Sequence, residues 1–174
     1  IKSNRINGLI HSETMSAMTL GSSIFSISRF FNREIVVFAQ WETVYSPLLG
    51  NTLPWLNTVT FRDFNNGFAA GYTNKRGCVL QTNDNGTTWS TVFTTNDTMQ
   101  FYDITFSDSN TIFVAGASTW TSSQGGMIAK SNDLGTTWTA LPTHSGLSSI
   151  SFPSSSVGYV AGDFGTIMKT VNAG

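Results

Sequence analysis

A repeated eight-residue motif constrains the fold of this chain more than any other feature of its sequence. Residues 82–89 read Thr-Asn-Asp-Asn-Gly-Thr-Thr-Trp, and residues 131–138 read Ser-Asn-Asp-Leu-Gly-Thr-Thr-Trp, 49 positions later. A third copy begins at residues 170–174, Thr-Val-Asn-Ala-Gly. Upstream, residues 41–44 (Trp-Glu-Thr-Val) resemble residues 89–92 (Trp-Ser-Thr-Val). The chain is therefore a series of similar units, each about 45–50 residues long.

Two further landmarks repeat in phase with this motif. The pair Ala-Gly recurs with its glycine at Gly71, Gly116 and Gly162, at intervals of 45 and 46 residues. A segment with apolar residues at alternate positions precedes each pair, which is the period of a strand with one buried face. The predicted strands are 56–61, 66–72, 78–83 and 88–93 in the first unit, 102–107, 111–117, 127–132 and 137–141 in the second, and 147–152, 157–162 and 166–171 in the third.

Four short strands per unit are typical of a propeller blade. We therefore predict an all-β fold, a β-propeller of four-stranded antiparallel blades, here a partial propeller of about three blades. The predicted propeller region is 39–174, with blades at about 56–93, 102–141 and 147–174, the last one truncated. Small residues in the Ala-Gly pairs would let neighbouring sheets approach near the axis.

The two ends of the chain are interpreted separately. Residues 1–38 carry no landmark, and we interpret them as a degenerate signal peptide that ends near Ala39, or as an incomplete blade. The chain is interpreted as a fragment of a longer propeller. The alternative is a dimer or trimer that closes a ring from partial rings, in which residues 40–46 supply the missing strand of the third blade.

The repeated motif has a local structural explanation. The carboxylates of Asp84 and Asp133 can accept backbone N–H groups across a turn. Gly86 and Gly135 supply the left-handed conformation of that turn, and the indoles that follow pack between sheets. The predicted structural residues are Asp84, Gly86, Trp89, Asp133, Gly135, Trp138, Asn172 and Gly174. These aspartates are therefore predicted to be structural and not catalytic.

The motif Ser/Thr-x-Asp-x-Gly-x-Thr-Trp resembles the Asp box, also called the bacterial neuraminidase repeat. Residues 158–174 look most like the repeats of photosystem II assembly-factor propellers, which also occur in bacterial secreted proteins. The resemblance spans about residues 40–174. It implies a propeller of the sialidase-like superfamily, with the box on the face away from any active site.

The catalytic residues that this resemblance would imply cannot be identified in the sequence. Sialidases use an arginine triad, a tyrosine with a glutamate partner and an aspartate, and the arginines here do not match that setting. The carboxylates considered for glycoside hydrolysis are Asp63, Asp97, Asp103, Asp108 and Asp163, and no pair of them stands out. We predict a non-catalytic extracytoplasmic module that binds protein or carbohydrate. The alternative is a fragment of a glycoside hydrolase, sialidase-like or xyloglucan-hydrolase-like.

Binding residues are expected on the loops at one end of the blades. Trp120 lies in the longest of these loops and is out of register with the repeat, so its indole could stack on a sugar or a partner side chain. The other candidates are Trp55, Lys75, Arg76, Asp97, His144 and Asp163. The two histidines share no spacing that indicates a metal site, and no cofactor is predicted.

Charge and composition narrow the classes of partner. With 9 basic and 10 acidic residues, the chain has no cationic surplus to bind nucleic acid. No apolar run approaches the length of a membrane span. The 22 serines and 24 threonines, with few charges, suit a secreted, cell-surface or periplasmic protein. Exposed sheet edges also predict self-association.

Overall fold

A computed structural model describes residues 41–44, 54–118 and 125–174, and the backbone of six short strands before residue 36. The chain divides into two compact units, Ile1–Thr43 and Val44–Gly174. The short strands of the first unit are β1 (Arg5–Ile6), β2 (Leu9–Ile10), β3 (Met18–Leu20), β4 (Ser23–Phe25), β5 (Phe30–Phe31) and β6 (Glu34–Ile35). They pair as three antiparallel hairpins, β1–β2, β3–β4 and β5–β6.

The second unit consists of three antiparallel sheets that follow one another along the chain. The first sheet contains β7 (Trp55–Phe61), β8 (Gly67–Thr73), β9 (Arg76–Thr82) and β10 (Ser90–Thr98). The second contains β11 (Gln100–Phe106), β12 (Ile112–Ala117), β13 (Gly126–Ser131) and β14 (Thr139–Thr143). The third contains β15 (Leu147–Ser151), β16 (Gly158–Gly162) and β17 (Ile167–Thr170). The predicted all-β, partial-propeller fold is confirmed.

One predicted loop is wrong. The strands predicted at 88–93 and 102–107 leave residues 94–101 as the connection between two blades, but β10 continues to Thr98 and β11 begins at Gln100. The hydroxyl of Thr95 accepts the Gly77 N–H at 2.9 Å and donates to the Asp97 carbonyl at 2.7 Å. Thr98 then pairs with Arg76. These bonds extend the strand beyond the point where its apolar pattern ends.

The glycine of each Ala-Gly pair is required for a different reason from the one predicted. Each lies beside a register shift in the first strand of its own sheet, where the main chain bulges towards it. A Cβ would overlap the carbonyl of Trp55 at Gly71, of Gln100 at Gly116 and of Gly146 at Gly162. The requirement for glycine therefore arises within each sheet, and not between neighbouring sheets as the sequence pattern predicted.

Two apolar clusters hold the sheets together. The larger joins the first two sheets and includes the fully buried Phe68, Phe101 and Ile112. The smaller joins the second and third sheets through Phe113, Leu147 and other buried residues. Burying each such side chain contributes about 1.5–3 kcal/mol before entropy is counted, so packing between sheets contributes substantially to stability.

Polar bonds also link the first strands of successive sheets. The Asn57 side chain donates to the Phe101 carbonyl at 2.6 Å. The carboxylate of Asp103 accepts the Ile150 N–H at 2.9 Å and the Ser149 hydroxyl at 3.0 Å. These bonds fix the three strands β7, β11 and β15 side by side. No helix in the described part of the chain is long and apolar enough to cross a membrane.

Candidate functional site

The repeated motif forms a closed hydrogen-bonded turn at one end of the first sheet, between β9 and β10. The buried Thr82 hydroxyl accepts the Gly86 N–H at 2.9 Å and donates to the Asp84 carboxylate at 2.8 Å. The same carboxylate accepts the N–H and hydroxyl of Thr88 at 2.8 and 2.7 Å. Gly86 has φ 82°, the left-handed conformation that the sequence predicted.

The turn between β13 and β14 repeats this arrangement. Ser131 takes the place of Thr82, and its hydroxyl accepts the Gly135 N–H at 2.8 Å. The N–H and hydroxyl of Thr137 donate to Asp133 at 2.8 and 2.6 Å. Hydrogen bonds from the hydroxyl and the main chain of Thr137 lower the pKa of Asp133 below its ordinary value. Those from the main chain and hydroxyl of Thr88 lower the pKa of Asp84. Both carboxylates are therefore ionised acceptors within a turn.

The tryptophan that follows each turn packs against apolar side chains. Trp138 donates its indole N–H to the Gly135 carbonyl at 3.0 Å and stacks on Phe93 of the first sheet. Trp89 makes the equivalent bond to Gly86 at 3.1 Å and meets the edge of Phe61. The second contact lies within one sheet, whereas that of Trp138 crosses between sheets.

A different group of side chains lies at the opposite end of the sheets, which we call the loop face. There β7 begins with Trp55, β8 ends near Tyr72, and the two residues are paired across the strands. Their rings stack with centroids 6.2 Å apart and planes 15° apart. The side chain of Trp55 is 68% exposed, so a broad aromatic surface faces solvent.

Tyr102 and Asp163 extend this surface onto the other two sheets. Tyr102 is the bulged residue of β11, and Asp163 follows β16 in a tight turn. Burial is the main cause that raises the pKa of Tyr102, and the nearby Asp163 and Tyr72 raise it further. The phenol is therefore a neutral hydroxyl at physiological pH. We call Trp55, Tyr72, Tyr102 and Asp163 the aromatic–acidic row.

The remaining predicted binding residues are distributed around this row. Trp120 lies outside the described residues, so its role stays a prediction. Lys75 and Arg76 occupy the hairpin between β8 and β9, where Lys75 has φ 66° and its carbonyl accepts the Met99 N–H. Asp97 is exposed within β10, and His144 is exposed just after β14.

Three of the five candidate catalytic carboxylates accept hydrogen bonds that stabilise the fold. Asp63 accepts hydrogen bonds from Asn65 and Asn66 in the turn after β7, and the Arg62 guanidinium, its largest influence, holds its pKa well below the usual range. Asp108 accepts the N–H groups of Asn110 and Thr111 in the corresponding turn after β11. Asp103 links two sheets, as described above. Asp63 and Asp108 are therefore turn-forming residues at equivalent positions of the first two sheets.

The two tyrosines of the row, Tyr72 and Tyr102, are not among the binding residues predicted from the sequence. Tyr72, Ala117 and Asp163 are equivalent, because each follows the repeated Ala-Gly pair. Tyr102 is equivalent to Asn57 and Ser148, the bulged residues of the other first strands. A residue type that changes at a fixed position, while its neighbours repeat, marks a position that the common blade structure leaves free to differ between sheets, as Asn57 does in bonding to Phe101. That signal would have identified both tyrosines.

The described residues contain no cluster of three or more His, Cys, Asp or Glu side chains arranged to hold a metal ion. Cys78 is buried in β9, and burial raises the pKa of its thiol to about 11. The thiol is therefore protonated and enclosed by the sheet. Chemistry available at the loop face is that of aromatic surfaces, hydroxyl groups and carboxylates.

Comparison with known proteins supports the fold. A solved structure of YCF48 bound to D1 peptide is similar to this chain, with a TM-score of 0.58 and 19% sequence identity. The match covers 71% of this chain and 38% of that chain, so this chain spans well under half of its length. No protein-family model and no curated protein matches the chain. The likeness shows a β-propeller fold, as the resemblance to photosystem II assembly-factor propellers implied. The assignment to Asp-box families stays a prediction.

Proposed function

We propose that this chain is a non-catalytic propeller module that binds an extended segment of a partner protein across its loop face. The observation that carries this proposal is the aromatic–acidic row, to which each sheet contributes. The first sheet supplies the stacked rings of Trp55 and Tyr72, the second supplies Tyr102, and the third supplies Asp163. A segment that crosses the row would contact all three sheets at once.

The chemistry of the row favours a cationic side chain with apolar neighbours. Aromatic faces attract lysine and arginine through cation–π interactions, and a carboxylate binds a guanidinium through charge-assisted hydrogen bonds. The neutral hydroxyl of Tyr102 offers a donor and an acceptor between these two groups. The YCF48 structure contains a bound peptide, which supports a peptide as the occupant of a propeller of this kind.

The alternative of a glycoside hydrolase has less support among the described residues. Hydrolysis of a glycoside uses two carboxyl groups on either side of the scissile bond. Asp63, Asp103 and Asp108 are engaged in turns or between sheets. Two carboxylates of the predicted set, Asp97 and Asp163, remain at the loop face, one in the first sheet and one after β16. Binding without catalysis therefore accounts for more of the observed contacts.

Carbohydrate is a second candidate ligand, and one observation favours it. The Trp55 ring is exposed and is backed by Tyr72 in a nearly parallel stack, which is a suitable platform for the apolar face of a sugar. This ligand would need the aromatic rings and not the charge of Asp163. The two candidates therefore differ in their response to substitution of that carboxylate.

We also propose that the module acts outside the cytoplasm. The composition supports this, because charged residues make up 11% of the chain, against about 25% in typical soluble domains. Fractionation of cells that express the full coding sequence with an epitope tag tests the location. Recovery of the tag from the cytoplasmic fraction alone would contradict it.

Fluorescence anisotropy tests the proposed binding directly. The probe is a labelled acetyl-Ala-Leu-Arg-Leu-Ala-amide peptide, with a glutamine twin in which arginine is replaced. We expect Tyr72→Ala and Asp163→Asn each to weaken binding of the arginine peptide about tenfold. Asp97→Asn, an exposed carboxylate on the same face, is the matched control and should leave binding unchanged.

The outcome separates the alternatives. Equal binding of the arginine and glutamine peptides would contradict recognition of a cation. Displacement of the probe by a neutral glucan oligosaccharide, with no effect of Asp163→Asn on the glucan, would support the carbohydrate ligand instead. Equal losses with Asp97→Asn and Asp163→Asn would show that the row is not the binding site.

A further inference from the structure

Phe164, in the hairpin between β16 and β17, adopts a backbone conformation that its residue type disfavours. It has φ 57° and ψ 28°, and Gly165 follows with φ 72°. The Thr166 N–H donates to the Asp163 carbonyl at 3.1 Å and closes this two-residue turn. Turns with positive φ at both central residues favour Asn-Gly, Asp-Gly and Gly-Gly pairs. A bulky phenylalanine at the first of these positions is therefore under backbone strain.

Contacts with the rest of the protein do not compensate for this strain. Among the described residues, Leu134 is the other large apolar residue with positive φ, and its side chain packs against the cluster between the first two sheets. The Phe164 side chain is 81% exposed, so it gains little free energy from burial. Backbone strain is typical of functional sites, and here packing gives no other reason for it.

The exposure of Phe164 follows from its place at the tip of the loop face. In the first sheet, the hairpin between β8 and β9 turns in the same way through Asn74 and Lys75, with φ 49° and 66°. Asn74 is exposed although the second sheet packs beside the first, so a neighbouring sheet leaves this position uncovered. The first sheet carries an asparagine here, which the conformation favours, and the third carries an exposed aromatic ring.

Three contacts fix this turn against the loop that precedes β15. The Asp163 N–H donates to the Gly146 carbonyl at 2.9 Å, and the Thr166 hydroxyl donates to the Ser145 hydroxyl at 3.1 Å. The carboxylate of Asp163 occupies the space that a Cβ at Gly146 would fill. Asp163 and Phe164 are therefore held beside each other before a ligand binds, which lowers the entropic cost of binding.

We propose that Phe164 is a specificity-determining contact for the bound segment, and that this segment carries an apolar side chain two positions from its cation. The inference rests on the proposed function, in which Asp163 binds the cation. In an extended segment, the side chains at positions i and i+2 share a face and lie about 7 Å apart. A cation at Asp163 thus brings the second side chain to the neighbouring ring of Phe164. Contact between the two apolar groups excludes water from both.

Fluorescence anisotropy with two labelled peptides, both acetylated and amidated, tests this specificity. The leucine probe, Leu-Ala-Arg-Ala-Leu, carries leucine two positions from the arginine on both sides, so that either chain direction brings one to Phe164. The alanine probe is Ala-Ala-Arg-Ala-Ala. The wild type should bind the leucine probe about tenfold more tightly than the alanine probe.

Variants assign this preference to one side chain. Phe164→Asn should bind both probes alike, with the affinity that the wild type has for the alanine probe. Asp163→Asn should weaken binding of both probes about tenfold and keep the preference for leucine. The matched control is Phe64→Asn, which removes a 77% exposed phenylalanine from the turn after β7, at the opposite end of the sheets. It should leave both affinities unchanged.

Thermal denaturation supplies a second readout that a merely structural role would reverse. Because asparagine suits the left-handed conformation, Phe164→Asn should raise the Tm by about 2–4 °C. Loss of a ring that stabilises the free protein would lower the Tm instead. A variant that is more stable than the wild type but has lost the preference for leucine would identify a residue that serves binding at the expense of stability.

The outcomes distinguish failure of this inference from failure of the proposed function. Equal binding of the two probes by the wild type, or a preference for leucine that Phe164→Asn retains, would overturn the role of Phe164 and leave the aromatic–acidic row as the binding site. A lower Tm for Phe164→Asn would also overturn that role. Absence of binding of either probe by the wild type would overturn the proposed function, and this inference with it.

Discussion

The indole of Trp138 stacks on the ring of Phe93, with ring centroids 5.1 Å apart and planes 18° apart. Trp138 belongs to the turn before β14 and Phe93 to β10, so the contact joins the outer strands of two sheets. A hydrogen bond from Asn57 of β7 to the Phe101 carbonyl of β11 joins the inner strands of the same sheets. The interface is therefore fixed at both of its edges.

Removal of this indole should destabilise the fold. We expect Trp138→Ala to lower the free energy of unfolding by about 3 kcal/mol, because a large aromatic side chain is lost from an interface between sheets. The matched control is Trp55→Ala, whose ring is mostly exposed and which should change stability by less than about 0.5 kcal/mol. Chemical denaturation of both variants measures the difference. Equal effects would show that Trp138 does not hold the sheets together.

The buried hydroxyl of the turn motif should also matter for stability. Ser131→Ala leaves the buried Gly135 N–H without its acceptor, so we expect a loss of about 1–3 kcal/mol. Ser154→Ala is a suitable control because the Ser154 hydroxyl accepts an N–H in an exposed turn. Denaturant titration compares the two. If both substitutions cost the same, the turn motif has no special structural role.

Stability should fall in acid because of the turn carboxylates. The folded-state pKa values of Asp84 and Asp133 are lowered, so their contribution is complete above the unfolded value near 4. It is lost as the pH falls from there through the lowered pKa values. The Tm should therefore be nearly constant above about pH 5 and should decline below about pH 4.

The double variant Asp84→Asn/Asp133→Asn tests the source of this acid dependence. It should have a lower Tm than the wild type at pH 7 and a shallower decline in acid. Asp63 and Asp108, whose pKa values are also lowered, supply the slope that remains. Identical slopes for variant and wild type, measured by calorimetry, would assign the acid sensitivity to other groups.

The repeated glycine should tolerate no side chain. At Gly116 a Cβ would overlap the Gln100 carbonyl and lie 2.9 Å from the Phe101 Cα. Because both are main-chain atoms, no side-chain movement relieves the clash, and we expect Gly116→Ala to prevent stable folding. The control Gly165→Ala meets no atom within 4 Å, and its positive φ should cost only about 1–2 kcal/mol. Recovery of soluble, cooperatively melting Gly116→Ala would contradict the proposed close approach.

The sequence predicts the strands of the sheets well because the same residue types recur at fixed positions in each repeat. Three glycines and two tryptophans recur in phase, so each strand could be placed from its neighbours' positions. The error at residues 94–101 has a different origin. The Thr95 hydroxyl bonds to Gly77 and Asp97, and the Thr143 hydroxyl of the second sheet likewise donates to the Ser145 carbonyl. Of these two sheets, only the first continues its strand beyond this threonine, to Thr98, and the apolar pattern does not mark these polar residues as strand.

The candidate site was only partly predictable for a related reason. Trp55 and Asp163 are predicted as binding residues because aromatic and acidic side chains in loops are typical of binding sites. Tyr72 and Tyr102 lie within predicted strands, where a tyrosine is an ordinary packing residue. The repeat marks both positions as variable, but their proximity to each other and to Asp163 follows only from the placement of three sheets side by side, which brings Tyr102 within electrostatic range of Tyr72 and Asp163.

Backbone NMR mapping of the basic peptide on the protein tests the central proposal most directly. Titration of the isotopically labelled chain with acetyl-Ala-Leu-Arg-Leu-Ala-amide should produce its largest chemical-shift changes at the Trp55 indole and at the amides of Tyr72, Tyr102 and Asp163. The turns around Asp84 and Asp133, at the opposite end of the sheets, should not respond. Shifts centred on those turns, or no saturable shifts at all, would contradict a peptide-binding row on the loop face.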